Sequence, residues 1–390
     1  MVDAKILNSI SSRARALEAS KIREVAELGM KKDGVLPLWF GEGAWSTNPL
    51  IVDAAIASLK AGNHMYQPNN GMMALRQAIC TYSNELLSSR LNPAQVTVTP
   101  SGMQGLMLTA EFLVSPGDRI VAVEPGWPNL IGAFKATGAE ITSVTIVPKD
   151  GHWTLDVDGL IAELTPGTKA VVINSPNNPT GWIMSDEEQC LVLEHCRRFG
   201  IWIVADDVYT RLYRHGRHAP SFLSITEPED LLISVNSFSK CWSMTGWRLG
   251  WIVAPAVFEG KLGQLTEFNT SCTAGFVQEA GITALRDGEE EIASLLEKIQ
   301  TGYELSAERL NTFSRVEFIE PDGAFYCFFR VDGLTNSFAA AVEILEQTKV
   351  GLAPGVAFGP QGEGYLRLCY AQPVDVLEEA FVRLEPFLSK

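Results

Sequence analysis

The sequence predicts an α/β protein with two parts: a large domain with a mostly parallel seven-stranded sheet flanked by helices, and a smaller α+β domain. Between residues 96 and 254, short β-branched runs alternate with longer segments of helical periodicity, which is typical of parallel strands joined by crossover helices. Beyond residue 287 this alternation is replaced by one long charged helical segment followed by strand-like runs. The length of 390 residues suits roughly two or three domains of ordinary size.

The strands of the large domain are predicted from short β-branched runs, and the helices between them from apolar residues at helical spacing. In the helix after the first strand, Leu106, Ala110 and Leu113 form one apolar face. Another helix begins at Ser185, which forms a capping box with Glu188 three residues later. The predicted strands are Val96–Thr99, Arg119–Val123, Glu140–Val144, Ala170–Asn174, Trp202–Ala205, Leu231–Asn236 and Leu249–Val253.

The chain is predicted to divide into three parts. Residues 1–44 form an N-terminal arm and part of the small domain, residues 45–287 the large domain, and residues 288–390 the small C-terminal domain. The N-terminal helical stretch has no core of its own, so we expect it to pack on the small domain or on a partner subunit. The C-terminal domain is predicted to contain a helix over 289–312, strands over 316–319 and 324–329, a helix over 338–346, and a strand–helix pair from Tyr365.

Composition excludes several classes of protein. With 31 Lys+Arg against 46 Asp+Glu, the net charge of −15 repels polyanions, so we expect neither a nucleic-acid partner nor a membrane-surface partner. No apolar run reaches the length of about 18 residues that a membrane-spanning helix needs, and the first residues lack the apolar segment of a secretory signal. The seven cysteines contain no C-x-x-C pair, which indicates reduced thiols and a cytoplasmic protein.

The residues that follow each predicted strand are candidates for function, because open α/β sheets bind ligands beyond the carboxyl ends of their strands. Lys240 lies among aromatic and apolar residues that can desolvate an amine and make it nucleophilic. Arg248, eight residues later, offers a guanidinium suited to a phosphate. Asp206 ends a very apolar run, where a carboxylate needs a cationic or hydrogen-bonded partner, although the adjacent Asp207 is an alternative.

Two other places after strands carry small or aromatic residues. Ser101, Gly102 and Met103 open a helix, and free N–H groups at a helix N-terminus favour an anion. Trp127 and the segment around Asn178 follow two further strands. Each of these features also has an ordinary explanation by itself, as a turn, a helix cap, a surface ion pair or a core aromatic.

Taken together, the motifs resemble those of pyridoxal phosphate-dependent aminotransferases of fold type I, in the class I/II group that includes aspartate, aromatic and alanine-type transaminases. The resemblance covers nearly the whole chain, and the order and spacing of the motifs make it specific. It is carried by Leu38-Trp39-Phe40-Gly41-Glu42-Gly43, Tyr66, Asn177-Asn178-Pro179-Thr180-Gly181, Ala205-Asp206-Asp207-Val208-Tyr209, Ser237-Phe238-Ser239-Lys240 and Tyr365-Leu366-Arg367-Leu368.

The resemblance implies a role for each residue around the cofactor ring. Lys240 would form the internal aldimine and later move a proton between the substrate α-carbon and the cofactor. Asp206 would keep the pyridine nitrogen protonated, while Asn178 and Tyr209 would hydrogen-bond the phenolic oxygen. Trp127 would stack on the ring.

The resemblance also implies the anion sites and the assembly. The chain would be a homodimer with shared active sites, because Tyr66 would reach the phosphate of the other subunit's cofactor. The activity would be ping-pong transfer of an amino group from an L-amino acid to a 2-oxo acid. The phosphate would be held by Ser101, Gly102, Met103, Ser237 and Arg248, with Ser239 as an addition, and the substrate carboxylate by Arg367 with Gly41 and Asn178.

Other activities are compatible with parts of the sequence. A β-eliminating C–S lyase would need the same Lys240 and Asp206. A serine hydrolase would use the S-x-x-K pattern of residues 237–240, but its usual K-T-G and S-D-N companions are missing. A non-catalytic vitamin B6-binding protein would be suggested by loss of Lys240 or Asp206, and both are present. His215 and His218 form a possible metal-binding pair without a third ligand nearby.

The substrate side chain is the least determined part of the prediction. The segment from Glu42 to Trp45 lacks the proline that the family often has after Gly-Glu. Three aromatic residues, Trp39, Trp45 and Phe358, favour a neutral or aromatic amino acid as substrate. A dicarboxylic substrate would need a second cation, for which the candidates are Arg13, Arg15, Arg76 and Lys135.

Overall fold

The structure, a computed structural model, describes residue 6 and residues 8–389. The predicted arm 1–44 and C-terminal domain 288–390 therefore include positions outside the described residues. The strands are β1 Leu36–Pro37, β2 Val96–Thr99, β3 Arg119–Glu124, β4 Glu140–Lys149, β5 His152–Leu155, β6 Thr168–Asn174, β7 Trp202–Asp206, β8 Leu232–Ser237, β9 Gly250–Val253, β10 Val316–Glu317, β11 Tyr326–Val331, β12 Val350–Gly351, β13 Ala353–Pro354 and β14 Tyr365–Cys369. The α-helices are α1 Ser12–Arg15, α2 Lys21–Gly29, α3 Pro49–Lys60, α4 Met73–Leu87, α5 Gly102–Leu113, α6 Pro128–Thr137, α7 Val157–Glu163, α8 Asp186–Phe199, α9 Glu259–Asn269, α10 Gly275–Asp287, α11 Glu289–Thr312, α12 Ser337–Thr348 and α13 Val374–Leu388.

The large sheet has, within the described residues, eight strands in the order β2-β9-β8-β7-β6-β3-β4-β5. The neighbours from β8 through β7, β6 and β3 to β4 run parallel. Strand β9 is antiparallel to both β2 and β8. The prediction of a mostly parallel sheet flanked by helices is confirmed, but the predicted number of seven strands is one too low.

The missed strand is β5, which returns antiparallel to β4 with Lys149 paired to His152. The turn residues Asp150 and Gly151 have φ values of 52° and 81°, the combination that two-residue hairpin turns favour. The strand consists of 4 residues, His152 to Leu155. Because so short a segment contains no distinctive apolar alternation, the sequence pattern alone did not indicate it.

Alternate residues of the central strands pack against opposite layers of helices, as the two-residue period of a strand requires. In β7, Ile203 belongs to the apolar cluster that continues into the small domain. Val204, next to it, belongs to the cluster under α5, α6 and α9. Every residue of β7 is buried, which explains why this strand forms a continuous apolar run in the sequence.

The small domain contains, in the described part of the chain, a four-stranded antiparallel sheet in the order β10-β11-β14-β13. Helix α2 packs against α12 and β13, and β1 pairs in parallel with β12. Helix α2 therefore packs on the small domain, one of the two partners expected for the N-terminal stretch, whereas α1 contacts α6 of the large domain. This packing brings the loop after β1 to the edge of the large sheet.

Several expectations from composition can be compared with the structure. All seven cysteines are free thiols; Cys190 is exposed, Cys272 is partly exposed and the others are buried. Across residue 6 and residues 8–389, no helix is both long and apolar enough to cross a bilayer. No group of three His, Cys, Asp or Glu side chains among the described residues could hold a metal ion, the segment with His215 and His218 included.

Candidate active site

A cavity of about 370 Å³ lies at the carboxyl ends of β6, β7 and β8, between the large sheet and the small domain. Segments distant in sequence meet there because the parallel strands end at one edge. It is lined by most of the predicted site residues: Gly41, Gly102, Met103, Trp127, Asn178, Asp206, Tyr209, Ser237, Ser239, Lys240, Arg248 and Arg367.

Lys240 follows β8 and points into the cavity. Its Nζ donates a hydrogen bond to the Gly41 carbonyl and lies 5.7 Å from the ring centroid of Tyr209. Burial lowers the pKa of the Lys240 amine to about 8, and the nearby positive charge of Arg367 acts in the same direction. A substantial fraction of the amine is therefore neutral near physiological pH, which is the form that attacks a carbonyl.

The structure distinguishes the two adjacent aspartates. Asp206 lines the cavity, and one of its carboxylate oxygens accepts only a long hydrogen bond of 3.4 Å from the Val208 N–H. Burial raises the pKa of Asp206 to about 7. Asp207 accepts hydrogen bonds from the hydroxyls of Ser234 at 2.6 Å and Ser221 at 3.4 Å. Asp206 is thus the carboxylate that still needs a cationic partner.

Asn174 and Asn178 are joined to each other and to the Asp206 backbone by hydrogen bonds in the cavity wall. Asn174, at the end of β6, donates to the Asp206 carbonyl at 3.0 Å and accepts from the Asn178 N–H at 2.8 Å. Asn174 lines the cavity but was missed by the sequence analysis. Its position as the last residue of a predicted strand was the available signal.

Arg367, in the middle of β14, is only 2% exposed. Its Nη1 donates to Asn178 Oδ1 at 2.8 Å, and its Nη2 donates to the Trp39 carbonyl. Its Nε has no hydrogen-bond partner among the described residues, and no acidic side chain in that part of the chain pairs with it. A buried guanidinium without a carboxylate is unfavourable, so this site is prepared for a ligand carboxylate.

A second tyrosine in the cavity was also missed. The hydroxyls of Tyr326 and Tyr209 are 2.6 Å apart and hydrogen-bonded, and the Tyr326 ring lies 4.4 Å from the guanidinium centre of Arg367. A side chain at Gly41 would collide with the Tyr326 hydroxyl, which explains the glycine there. Tyr326 lies in an apolar strand of the small domain, so its sequence context indicated only a core residue.

Another group of residues in the cavity lining can bind an anion. Gly102 and Met103 form the first turn of α5 and line the cavity with Ser237 and Arg248. The start of α5 lies very close to the sheet: a Cβ added to Gly250 in β9 would be only 2.6 Å from the Gly102 nitrogen. Free N–H groups, a hydroxyl and a guanidinium together suit a phosphate.

Two of the predicted cofactor-binding residues lie outside the lining of the main cavity. Within the described residues, Ser101 and Tyr66 do not line the cavity. The Ser101 hydroxyl caps α5 by accepting from the Gln104 N–H at 3.0 Å, which holds the helix start in place. Tyr66 is 89% exposed on the outer surface.

In the described chain, the residues considered for a substrate side chain do not line the main cavity, although the Phe358 ring lies 4.9 Å from the Arg367 guanidinium. Of the candidate cations, Arg76 is buried against Glu259 and the Pro93 carbonyl, and Arg13 donates to the Thr137 carbonyl. Trp39 fills the space between Gly29 and Gly351. In the part of the chain that the structure describes, the main cavity is lined by none of the residues Arg13, Arg15, Arg76, Lys135, Trp39, Trp45 and Phe358.

The cavity combines a desolvated lysine amine, a carboxylate without a cationic partner among the described residues, and a group of anion-binding residues. The family profile described as aminotransferase class I and II matches residues 37–384. The chain therefore belongs to the class I and II aminotransferases, whose members depend on pyridoxal phosphate.

Individual relatives agree with this family and differ in substrate. The chain is 32% identical over 386 residues to an aspartate aminotransferase of Pyrococcus horikoshii, covering 97% of each sequence. It is 30% identical to aromatic-amino-acid aminotransferase 2 of Thermococcus litoralis, covering 98% of this chain and 99% of the relative. The solved aspartate aminotransferase of Thermotoga maritima has a TM-score of 0.90 at 30% identity, covering 98% of this chain and 100% of that one.

The residues of the cavity fit pyridoxal phosphate. The Asp206 carboxylate lacks a cationic partner, and a protonated pyridine nitrogen would supply one. Lys240 would face the cofactor aldehyde, and Trp127 lines the wall where the ring would stack. The first turn of α5 with Ser237 and Arg248 would hold the phosphate.

Proposed function

We propose that this aminotransferase passes the amino group of an L-amino acid to a 2-oxo acid in two half-reactions at the cavity that contains Lys240, Asp206 and Arg367. The observation that carries the proposal is the buried Arg367 guanidinium, which has an unpartnered Nε and no acidic neighbour among the described residues. Both substrates contain an α-carboxylate. The planar fork of arginine binds such a group in one fixed orientation.

Each residue has a separate task in the proposed reaction. Pyridoxal phosphate, when bound, supplies the aldehyde that takes up the amino group and a ring that accepts electrons. Arg367 holds the α-carboxylate, which places the Cα–H bond next to Lys240. The Lys240 amine would take that proton from the α-carbon and deliver it to the cofactor. Asp206 would keep a proton on the ring nitrogen, while Asn178 and Tyr209 would hydrogen-bond the phenolic oxygen.

A half-reaction assay of the purified holoenzyme tests this function. A single addition of an L-amino acid should convert the bound cofactor to its amine form, and a 2-oxo acid should restore it. Arg367→Lys keeps the charge but loses the fork, so we expect kcat/KM for amino acids to fall about 100-fold with cofactor affinity unchanged.

The same assay distinguishes the C–S lyase alternative. A lyase would release pyruvate and ammonia from a cysteine conjugate without any requirement for a 2-oxo acid. Release of ammonia as the main reaction, or equal kcat/KM for Arg367→Lys and the parent enzyme, would contradict the proposed function.

The surface around Tyr66 supports a homodimer with shared active sites. Met65 and Phe268 are 72% and 86% exposed, and their segments are joined by a hydrogen bond from Asn69 to Glu267 at 3.2 Å. Together with Tyr66 they form an exposed apolar face that a second copy of the chain would bury. In the dimer, Tyr66 would reach the phosphate bound by the other subunit. The free thiols support a cytoplasmic location for this assembly.

A mixed dimer tests the shared site. One chain carries Tyr66→Phe and the other Lys240→Ala, so that a single site retains Lys240. If Tyr66 acts across the interface, that site receives an intact tyrosine from the other chain and should bind cofactor as in the parent enzyme. The Tyr66→Phe homodimer, as control, should bind cofactor about tenfold more weakly. Weakened binding at the mixed dimer's single site would contradict the shared arrangement.

A further inference from the structure

The main cavity contains one basic residue for which the proposed reaction has no task. The basic residues that line it are Arg23, Lys240, Arg248 and Arg367, whereas Asp206 is its one acidic residue within the described chain. Lys240 serves the cofactor aldehyde, Arg248 the phosphate and Arg367 the α-carboxylate. Arg23 makes no ion pair with any described residue, so its charge is available to a ligand.

Arg23 is an exposed residue of helix α2, and its side chain contacts the loop after β1. The Ser20 hydroxyl caps α2 by accepting from the Arg23 N–H at 3.4 Å, and α2 itself is anchored by the buried residues Ile22 and Val25. The Arg23 guanidinium lies over the Phe40 ring, 5.4 Å from its centroid. Stacking on an aromatic ring orients a guanidinium while leaving its N–H edge open.

Three consecutive residues, Trp39 to Gly41, contact Arg23 as well as Lys240 and Arg367. The Trp39 carbonyl accepts from Arg367, the Phe40 ring lies under Arg23, and the Gly41 carbonyl accepts from Lys240. Neighbouring Cα atoms are about 3.8 Å apart. Arg367, the Lys240 amine and Arg23 therefore all contact the short segment Trp39–Gly41, and all three line the same cavity.

This arrangement distinguishes Arg23 from the phosphate-binding groups. Gly102 belongs to α5, Ser237 ends β8 and Arg248 lies between β8 and β9. Arg23 instead contacts the segment Trp39–Gly41, as Lys240 and Arg367 do. We infer that Arg23 binds the distal carboxylate of a dicarboxylic substrate, so that one amino acid and 2-oxo acid pair used by the enzyme is acidic. The inference rests on the proposed function and names the substrate class of the same site. Because the chain has a net charge of −15, it repels a dianionic substrate on average, and cationic side chains at the site must offset this repulsion.

The test measures equilibrium binding of unreactive substrate analogues to the holoenzyme at fixed ionic strength. Glutarate and pentanoate share a carbon skeleton but differ in the distal carboxylate, and succinate and butanoate form a shorter pair. We expect each dicarboxylate to bind more tightly than its partner. In Arg23→Gln the ratio of the two affinities should fall about tenfold or more, while pentanoate and butanoate bind as before. Arg23→Lys should retain part of the preference.

Lys21→Gln is the matched control, because it removes a positive charge from the same helix turn. The Lys21 amine lies over Phe338 and, within the described chain, does not line the main cavity, so this variant should leave both affinities unchanged. An unchanged ratio in Arg23→Gln, or equal losses for both members of a pair, would overturn the inference. Amino transfer, measured in parallel with monocarboxylic and dicarboxylic pairs, keeps the two questions apart: its absence with every pair of either kind would contradict the proposed function instead.

Discussion

Replacing Lys240 with alanine should abolish the covalent attachment of the cofactor, seen as a change in its absorbance spectrum, and lower the rate of amino transfer by about 10⁴-fold. The substitution removes the amine that bonds to the cofactor and the group that moves the proton, so both functions are lost together. The fold should be retained, because no described structural ion pair involves Lys240 and its amine donates only to the Gly41 carbonyl. Stopped-flow measurement of the half-reaction gives the rate, and added ethylamine should restore part of it by accepting the proton in place of the side chain.

The pKa of Lys240 adds a test that does not depend on turnover. Because burial lowers this pKa to about 8, the amine of the cofactor-free protein becomes neutral as the pH rises through that value. The rate of covalent cofactor loading should therefore increase from pH 6.5 to pH 8.5 and then level off. Lys261→Ala, a change at an exposed lysine bonded to Gln264, should leave this profile unchanged. A profile that rises only near pH 10 would show that Lys240 is not desolvated.

Asp206→Asn should lower the half-reaction rate by about 10²- to 10³-fold while leaving the cofactor attached. An amide cannot keep the ring nitrogen protonated, so the ring accepts electrons less well when charge develops at the substrate α-carbon. Asp207→Asn is the matched control, since its carboxylate bonds to Ser234 and Ser221. It should change the rate by less than about tenfold. Equal losses in the two variants would show that the aspartates act as a unit.

The stability of the cofactor-free protein gives a second readout for Asp206. Burial raises its folded-state pKa from 3.8 to about 7, so the folded protein binds more protons than the unfolded chain between these values. The contribution of Asp206 to stability therefore falls as the pH rises from 4 to 7. Asp206→Asn should lose this dependence, so its urea midpoint relative to the parent should increase between pH 5 and pH 8. A pH-independent difference would contradict the burial of an ionisable Asp206.

Much of the cavity could be predicted because its residues follow parallel strands. Lys240 and Asp206 lie where β8 and β7 end, and parallel strands bring their carboxyl ends together whatever the intervening helices contain. The residues around this strand left the choice between Asp206 and Asp207 open, and only the family resemblance favoured Asp206. The choice depends on which carboxylate faces the cavity and which accepts from Ser234, and residues adjacent in a strand point to opposite sides.

Residues contributed by other parts of the fold were harder to predict. Tyr326 comes from the small sheet and Arg23 from α2, and neither is followed by a motif that indicates a site. Their positions depend on how α2 and β11 pack against the large domain, which involves contacts between residues hundreds of positions apart. Tyr66 remains a prediction, because its proposed contact belongs to the dimer.

Mass-spectrometric mapping of the holoenzyme after borohydride reduction tests the central claim most directly. Reduction converts the bond between pyridoxal phosphate and the enzyme into a stable adduct, whose position in the chain can be read from the digested peptides. We expect the adduct on Lys240, the residue that directly follows Ser239, and its loss when an unreduced holoenzyme is first treated with an amino acid substrate. An adduct on any other lysine, or one that persists in Lys240→Ala, would contradict the assignment of this cavity as the active site.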